Sequence, residues 1–229
     1  LYDLIGIQLM ADVLKSFIKE LPENDPFHIV GKELPIINQL IEDGYTGRKG
    51  KGGFFRMNKS SDVKILESLN YKNNTYHESK KVDLGLPDVM DVVNVIERDD
   101  VYGKYAWSII KKTILYASSL IPDVTTNFND IDDAMKCGVN WSKGPFEILD
   151  EIGIENFVSK LNQDEEIPSF IKQLIDQKNS LFKTTDNALE YFHPQQSYMP
   201  MKRPKGIISL SDIKKSSKPI YTNASASIW

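Results

Sequence analysis

The chain has 229 residues, with 28 Lys and Arg against 32 Asp and Glu, and its formal net charge is −4. A nucleic-acid-binding surface usually shows as a basic excess, so this balance argues against nucleic acid as the main partner. The single Cys137 allows no internal disulfide, which suits the cytosol. No apolar run has the length needed to cross a bilayer, and no signal peptide opens the sequence. Because the sequence starts at Leu1 rather than Met, we expect a fragment of a longer protein. The single cysteine leads us to expect that this protein is cytoplasmic.

Two amphipathic helices are predicted in the first part of the chain. Apolar residues recur at helical spacing over residues 7–21, and a second pattern over residues 35–43 opens at Pro35, which suits the first position of a helix. Residues 44–57, GYTGRKGKGGFFRM, hold five glycines among four basic residues. This composition predicts a turn or loop that leads into an extended segment at the two phenylalanines.

The middle of the chain combines a polar stretch with the longest helical pattern. Residues 58–80 are interpreted as a connector with a short amphipathic piece near residues 63–69. Over residues 102–121, apolar side chains recur on one broad face, which predicts a long buried helix. Another helix is predicted from Pro168. After residue 193, prolines become frequent and the end is rich in Ser and Lys, which predicts an extended linker.

Residues 127–161 predict three short helices joined by tight corners. Asn129 or Asp130 is expected to cap the first helix. Gly138 is expected to end it in the left-handed conformation, which residues with a Cβ adopt only at a cost. Pro145 suits the first position of the second helix, since its missing N–H costs nothing there.

Half of this corner recurs at the start of the chain. When Gly6 is aligned with Gly153, each glycine ends one short run and precedes a new helix, and the helix at Pro35 parallels the helix at Pro168. The first copy then lacks its own long helix, so its helices are expected to pack on residues 102–121 or on another chain. The residue pairs that support the repeat are Asp3 with Asp150, Ile5 with Ile152 and Ile7 with Ile154. The alternative is that the two segments are unrelated helical corners.

Two segments resemble the C-terminal helical domain of 3-hydroxyacyl-CoA dehydrogenases. They are residues 129–153, NDIDDAMKCGVNWSKGPFEILDEIG, and the glycine- and lysine-rich residues 44–57. Two tandem copies of this domain are similar to the arrangement in prokaryotic bifunctional fatty-acid oxidation proteins. The tail from residue 198, YMPMKRPKGIISLSDIKKSSKPIYTNASASIW, resembles the connector to a following enoyl-CoA hydratase domain.

This resemblance implies an all-α fold of two related helical domains, of the type found at the C-terminus of 6-phosphogluconate dehydrogenase. The first copy is truncated, and the C-terminal tail is extended. The implied division is a truncated first copy at residues 1–57, a connector at 58–87, a complete second copy at 88–193 and a linker at 194–229.

The resemblance also implies a parent protein that is an NAD-dependent 3-hydroxyacyl-CoA dehydrogenase of fatty-acid β-oxidation, acting on an acyl-CoA. The fingerprint G-x-G-x-x-G of a dinucleotide fold does not occur here. In the family the catalytic residues lie upstream of the point that matches Leu1, so we expect no catalytic residue, no bound NAD and no activity in this fragment. Expected partners are the absent dinucleotide-binding domain and the hydratase domain, and self-association of the fragment stays open. The alternative is a stand-alone helical protein-interaction module without enzymatic context.

The basic residues of the glycine-rich segment form the candidate binding site. Arg48, Lys49 and Lys51 could hold the phosphates of coenzyme A, because glycine lets a short loop and its N–H groups approach an anion. The alternative, which the sequence favours, is a tight turn with solvated cations.

No residue pattern predicts a metal site. The histidines lie far apart without metal-ligand spacing and are interpreted as surface residues. The aspartate cluster is interpreted as a set of carboxylates at a helix N-terminus. The residues considered are His28, His77 and His193, and Asp130, Asp132 and Asp133.

Overall fold

The computed structural model describes residues 1–58, 63–83, 85, 91–185, 188–202 and 205–229. The chain divides into two compact units, Leu1–Leu84 and Gly85–Trp229. Helices make up 44% of the structure and strands 16%, and the strands form three antiparallel sheets. The prediction of an all-α fold is therefore wrong, since each unit combines helices with sheet. The predicted boundary between residues 87 and 88 lies outside the described residues.

The first unit begins with helices and ends with a three-stranded sheet. Its helices are α1 (Tyr2–Ile5), α2 (Ile7–Glu20), α3 (Phe27–Val30) and α4 (Pro35–Glu42), and its strands are β1 (Phe55–Asn58), β2 (Ile65–Asn70) and β3 (Thr75–Glu78).

Helices α2 and α4 pack against each other through one apolar face of each helix. Ile7 and Ala11 of α2 form a buried cluster with Ile37 and Leu40 of α4, and Leu69 of β2 packs against it. Because this cluster closes within the first unit, the face of α4 that contains Leu40 needs no outside partner.

The segment interpreted as a connector contains two of the sheet's strands. Strand β2 pairs antiparallel with both β1 and β3. The turn between β2 and β3 contains Asn74 at φ 54, a left-handed conformation that Asn tolerates. In β2, Ile65, Glu67 and Leu69 lie on the same face of the strand, with a charged side chain between two apolar ones. This run is too short to distinguish from an amphipathic helix by spacing alone.

The second unit repeats the order of helices followed by a three-stranded antiparallel sheet. Its helices are α5 (Val92–Ile96), α6 (Val101–Ser119), α7 (Phe128–Val139), α8 (Pro145–Ile152), α9 (Ile154–Ser159) and α10 (Ser169–Asp176). The strands β4 (Phe182–Thr185), β5 (Ala188–His193) and β6 (Ser197–Pro200) follow, and after them come α11 (Leu210–Ser216), β7 (Tyr221–Thr222) and β8 (Ser227–Ile228).

The termini of α7 differ from their prediction. The N-cap is Asn127, whose side-chain oxygen accepts from the backbone N–H of Asn129 at 3.2 Å. Gly138 lies inside the helix rather than at its end. The left-handed residue is Asn140, at φ 57 and ψ 37, because Asn is one of the few residues with a Cβ that adopts this conformation readily. The predicted start of α8 at Pro145 is confirmed.

Phe128 is the centre of the core of the second unit. Its ring lies between 5.2 and 5.9 Å, centroid to centroid, from the rings of Phe146, Phe170, Phe182 and Tyr191. These neighbours come from α8, α10, β4 and β5. One buried aromatic ring at the first position of α7 therefore joins the helices to the sheet.

The C-terminal residues are not an extended tail. Strand β6 pairs with β5, and α11 and the short β7–β8 hairpin lie further on. Among the described residues, no helix has both the length and the apolar content required to cross a membrane.

Candidate functional site

The glycine-rich loop of the first unit folds onto the junction between α1 and α2. The backbone N–H of Gly47 donates to the carbonyl of Gly52 at 2.8 Å, and that of Arg48 donates to the carbonyl of Asp3 at 2.7 Å. Gly47 has φ 115, and a Cβ there would lie 2.7 Å from the Asp3 carbonyl oxygen. Glycine is required at this position both for its backbone conformation and for the close approach of α1.

Asp3 holds the far end of the loop. Its Oδ1 accepts from the N–H of Phe54 at 2.9 Å, and its Oδ2 accepts from the N–H of Phe55 at 2.7 Å. The N–H of Ile7, at the start of α2, donates to the carbonyl of Thr46 at 3.0 Å. The loop, α1 and the start of α2 are therefore one hydrogen-bonded assembly. The role of Asp3 was not predicted, although its alignment with Asp150 in the repeat was a signal.

The three predicted cationic residues do not converge on one point. Lys51 donates from Nζ to the carbonyl of Asp43, just after α4, at 3.0 Å, and its Nζ lies 6.0 Å from the centroid of the Tyr45 ring. Lys51 thus supplies a cation to the carboxyl end of α4, where the helix dipole favours positive charge. Arg48 and Lys49 line a different feature, a cleft between the loop and the start of the unit.

This cleft has a volume of about 330 Å³ and is open to solvent on one side. Two cations, Arg48 and Lys49, lie on its loop wall, and within the described part of the chain neither has an ion-pair partner. The opposite wall carries Leu4 and Leu9, which are 62% and 53% exposed, together with Asp12. Two cations, the carboxylate of Asp12 and exposed aliphatic side chains line the same space, so the cleft offers both polar and apolar contacts to a ligand.

The backbone of the loop offers a limited number of donors to such a ligand. The N–H groups of Gly47, Arg48, Gly50 and Gly53 all donate to carbonyl oxygens of the first unit. An anion bound in the cleft would consequently depend on the side chains of Arg48 and Lys49 rather than on a cradle of amides.

A second polar cluster, which no sequence pattern predicted, lies beside the sheet. The Arg56 guanidinium donates to Glu67 Oε2 at 2.7 Å and to the Tyr45 hydroxyl at 3.0 Å, and it lies 3.9 Å above the Tyr76 ring. The Tyr76 hydroxyl donates to the carbonyl of Gly53 at 2.5 Å, and burial raises the pKa of this hydroxyl to about 12. The hydrogen bond from Arg56 lowers the pKa of Glu67. Since these groups satisfy one another, the cluster joins the sheet to the glycine-rich segment at Tyr45 and Gly53.

The three aspartates considered as metal ligands each bond to neighbouring protein groups. Asp130 accepts from Asn127 and Thr125, and Asp133 pairs with Lys136 at 3.1 Å. Asp132 is buried between α7 and α8, where its two oxygens accept from the N–H groups of Phe146 and Glu147 at 2.8 and 3.0 Å. Burial raises the pKa of Asp132 to about 7. Asp132 therefore caps the N-terminus of α8, a helix other than the one that carries it.

The histidines are also explained by local bonds. A ring nitrogen of His28 lies 2.9 Å from the Pro22 carbonyl, and one of His77 lies 2.8 Å from the Thr75 hydroxyl. His193 is 6% exposed and lies at the end of β5, so its interpretation as a surface residue is wrong. No group of three or more metal-ligating side chains occurs among residues 1–58, 63–83, 85, 91–185, 188–202 and 205–229.

Comparison with known proteins finds relatives in fatty acid oxidation. The chain is 40% identical over 149 residues, 65% of its length, to a protein of Rickettsia felis provisionally named fatty acid oxidation complex trifunctional enzyme, and it covers 20% of that protein. The equivalent protein of Rickettsia prowazekii is 38% identical over 156 residues, which is 68% of this chain and 21% of that protein.

A third relative aligns with almost the whole chain. It is a Bacillus subtilis protein provisionally named 3-hydroxyacyl-CoA dehydrogenase, 27% identical over 237 aligned residues that span 99% of this chain and 29% of that protein. The chain thus spans less than a third of the length of each of these relatives. No family model and no solved structure matches the chain. By sequence, the chain is related to parts of two proteins provisionally named for fatty acid oxidation and of one provisionally named 3-hydroxyacyl-CoA dehydrogenase.

Proposed function

We propose that this chain is a substrate-side and assembly region of an NAD-dependent 3-hydroxyacyl-CoA dehydrogenase of fatty-acid β-oxidation, and that it is not catalytic alone. The observation that carries this proposal is the alignment of 99% of the chain with the B. subtilis relative of that name. In the parent protein, NAD would accept a hydride from the 3-hydroxyl carbon of an acyl-CoA.

The sheets support the assignment of NAD binding to another part of the parent. A dinucleotide fold is built on parallel strands with a G-x-G-x-x-G turn between strand and helix. All strand pairs among the described residues are antiparallel, and the turn motif does not occur in the sequence. We therefore propose that a separate dinucleotide-binding domain of the parent is one partner of this chain. A following enoyl-CoA hydratase domain is the second proposed partner, and the proposed location of the parent is the cytoplasm.

The proposal includes a common origin for the two units. Gly6 and Gly153 occupy the same place between two helices, with φ 119 and ψ 124 in one case and φ 82 and ψ 134 in the other. Each unit then has an eight-residue helix, α4 or α10, before its sheet. The same backbone hydrogen bond follows in both: Leu69 donates to Phe54 at 2.8 Å in the first unit, and Phe192 donates to Leu181 at 2.9 Å in the second. These parallels support a tandem repeat.

Within this function, we assign the coenzyme A phosphates to Arg48 and Lys49. The two side chains line the same cleft, and the exposed leucines opposite them suit the less polar pantetheine arm. Lys51, included in the sequence prediction, acts mainly on the end of α4.

The catalytic part of the proposal is tested by incubating the purified chain with NADH and acetoacetyl-CoA. We expect no oxidation of NADH above the rate without protein, and no saturable quenching of tryptophan fluorescence by NADH. Turnover that scales with protein concentration would place the catalytic groups inside this chain and overturn the proposal.

The binding part is tested by calorimetric titration with coenzyme A. Replacing Arg48 or Lys49 by Gln should weaken binding by about threefold to fivefold, which corresponds to the loss of one exposed charge pair, and added salt should weaken binding to the unaltered chain. Lys72→Gln, in the turn between β2 and β3, is the matched control and should have no effect. Equal affinity for all three variants would show that the cleft does not hold the phosphates.

A further inference from the structure

The first unit contains a second cavity, here called the tyrosine pocket, which is lined by residues of α4 and of all three strands of its sheet. Its volume is about 190 Å³, and it is partly open to solvent. It shares no lining residue with the cleft at Arg48 and Lys49. Aliphatic, aromatic and amide side chains contribute to the lining in equal number, namely Ile36 and Leu69, Tyr45 and Tyr76, and Gln39 and Asn74.

The sheet of the second unit identifies the positions that are equivalent to the pocket. Leu69 corresponds to Phe192, because each donates its backbone N–H to the carbonyl just before the first strand of its unit. In the register of the two sheets, Leu69 lies opposite Tyr76, and Phe192 lies opposite Tyr198. Both tyrosine hydroxyls donate to the backbone carbonyl two residues before that first strand, at 2.5 Å and 2.8 Å. The two sites are therefore built on the same frame.

Larger aromatic residues fill this space in the second unit. The second residue of the helix before the sheet is Ile36 in the first unit and Phe170 in the second. The centroid of the Phe192 ring lies 5.9 Å from those of Phe170 and Tyr198, and Phe170 and Phe192 are both 1% exposed. Because Ile36 and Leu69 stand where the second unit has two phenylalanine rings, a cavity remains in the first unit.

The charges around the tyrosine pocket disfavour an anionic ligand. Arg56 lines the pocket, but its guanidinium donates to Glu67 Oε2 at 2.7 Å, so its charge is already paired. Asp43 adds a carboxylate to the lining. An anion bound here would lie near a negative charge without gaining a free cation, so the pocket favours an uncharged group.

Two amide side chains at the exposed edge of the pocket define a hydrogen-bonding pattern. Asn74 Nδ2 donates to Gln39 Oε1 at 2.9 Å. This bond leaves Gln39 Nε2 as a donor and Asn74 Oδ1 as an acceptor, and neither atom has another partner within the described part of the chain. If both amide planes were reversed, one donor and one acceptor would still remain. A ring with an acceptor next to a donor matches this pair, as the N7 and N6 atoms of adenine do.

We propose that the tyrosine pocket binds an uncharged, planar heteroaromatic ring of the adenine type. Aromatic side chains pair favourably with another aromatic ring, and Tyr45 and Tyr76 both line the pocket. A cavity of about 150 Å³ is large enough to bind benzene, so the larger volume here has room for one such ring system. The ring belongs either to a free nucleoside or nucleotide or to the adenine end of coenzyme A. This inference goes beyond the proposed function, since it uses neither Arg48 nor Lys49.

The probe is adenosine, which carries the ring without a phosphate, titrated into the full chain by calorimetry. We expect saturable binding. Leu69→Phe introduces the residue that the second unit has at the equivalent position, and it should weaken binding by about tenfold or more because its ring takes the ligand's space. Gln39→Ala removes one hydrogen bond and should weaken binding by about threefold to tenfold. Asn38→Ala is the matched control, because Asn38 is the neighbouring exposed residue of α4 and does not line the pocket.

Gln39→Ala keeps the test decisive if Leu69→Phe alters the circular dichroism spectrum, because alanine at an exposed helix position preserves the helix. The proposal is overturned if adenosine shows no saturable binding, or if Gln39→Ala binds adenosine as tightly as Asn38→Ala. Benzyl alcohol that binds as tightly as adenosine would also overturn it, since the pocket would then recognise only an apolar ring.

Coenzyme A and phosphopantetheine distinguish the two sources of the ring. If Leu69→Phe weakens the binding of coenzyme A but not of phosphopantetheine, the ring is the adenine of coenzyme A. If Leu69→Phe weakens only the binding of adenosine, the ring belongs to a free nucleoside or nucleotide. Because adenosine has no phosphate, failure of the adenosine titration leaves the assignment of Arg48 and Lys49 untouched, and failure of that assignment leaves the pocket untouched.

Discussion

Replacing Gly144 by Ala should sharply destabilise the second unit. A Cβ at Gly144 would lie 2.3 Å from Asp132 Oδ1 and 2.4 Å from both the Cα and the Cβ of Asp132. Real side chains do not approach so closely, so α7 and α8 must separate. The hydrogen bonds from Phe146 and Glu147 to Asp132 depend on their present spacing and would lengthen or break.

The magnitude follows from these two effects. Inserting a methyl group into a packed interface costs roughly 1–3 kcal/mol. Each lost hydrogen bond to the buried carboxylate adds about 1 kcal/mol. The free energy of unfolding of the second unit should therefore fall by about 3–5 kcal/mol.

Urea denaturation followed by tryptophan fluorescence measures this change, because Trp107, Trp141 and Trp229 all lie in the second unit. The matched control is Gly138→Ala, six positions earlier and inside α7, where an added Cβ meets nothing within 4 Å. That change should stabilise the unit by about 0.5–1 kcal/mol, since Ala favours a helix interior over Gly. If Gly144→Ala costs less than about 1 kcal/mol, the Asp132 contact is looser than described and the reasoning is refuted.

Three further predictions concern single side chains. Phe128→Ala should cost about 3–5 kcal/mol in the same denaturation assay because it empties the centre of the second core, and a smaller loss would mean that the neighbouring rings close the space. Asp132 has a folded-state pKa of about 7, above the ordinary value of 3.8, so its contribution to stability is complete below pH 4 and is lost as the pH rises through 7. This pKa shift changes the free energy of unfolding by at most about 4 kcal/mol across that pH range. Asp132→Asn should therefore remove the corresponding slope from a plot of unfolding free energy against pH. An unchanged slope would show that Asp132 is not the titrating group. Asp3→Asn should cost about 1–3 kcal/mol and speed hydrogen exchange in β1, because an amide donor then faces a backbone N–H, whereas the exposed Asp12→Asn should be neutral. Equal exchange rates in the two variants would disprove the role of Asp3.

The helices could be read from the sequence because their ends carry local signals. Pro145 opens α8, Gly153 ends it, and the stripe of α6 is long enough for its period to be clear. The strands could not be predicted from the sequence, because each described strand has six residues or fewer and several contain charged or amide side chains that interrupt an apolar pattern. Strand β2, with Glu67 between Ile65 and Leu69, shows the difficulty. Its identity depends on β1 and β3, which pair with it from elsewhere in the chain.

The candidate site shows the same division between local and distant causes. The turn of the glycine-rich loop was predictable from its composition, since positive φ angles at Gly44, Gly47 and Gly52 require glycine. The separation of Lys51 from Arg48 and Lys49 could not be predicted, because it depends on the position of the C-terminal end of α4 in the folded unit. Likewise, Asp132 looked like a first-turn residue of its own helix. Its role as the cap of α8 exists only once the two helices meet.

The bonds of Asp3 also order events during synthesis of the first unit. They join residue 3 to residues 54 and 55, which are 51 and 52 positions away. Translation delivers the chain from its N-terminus, so α1 and α2 leave the ribosome well before the amides that Asp3 holds. Until Phe55 has emerged, these two hydrogen bonds cannot form. The glycine-rich loop is therefore fixed to α1 only after α2 and α4, which precede it in the chain, have been synthesised and can pack on each other.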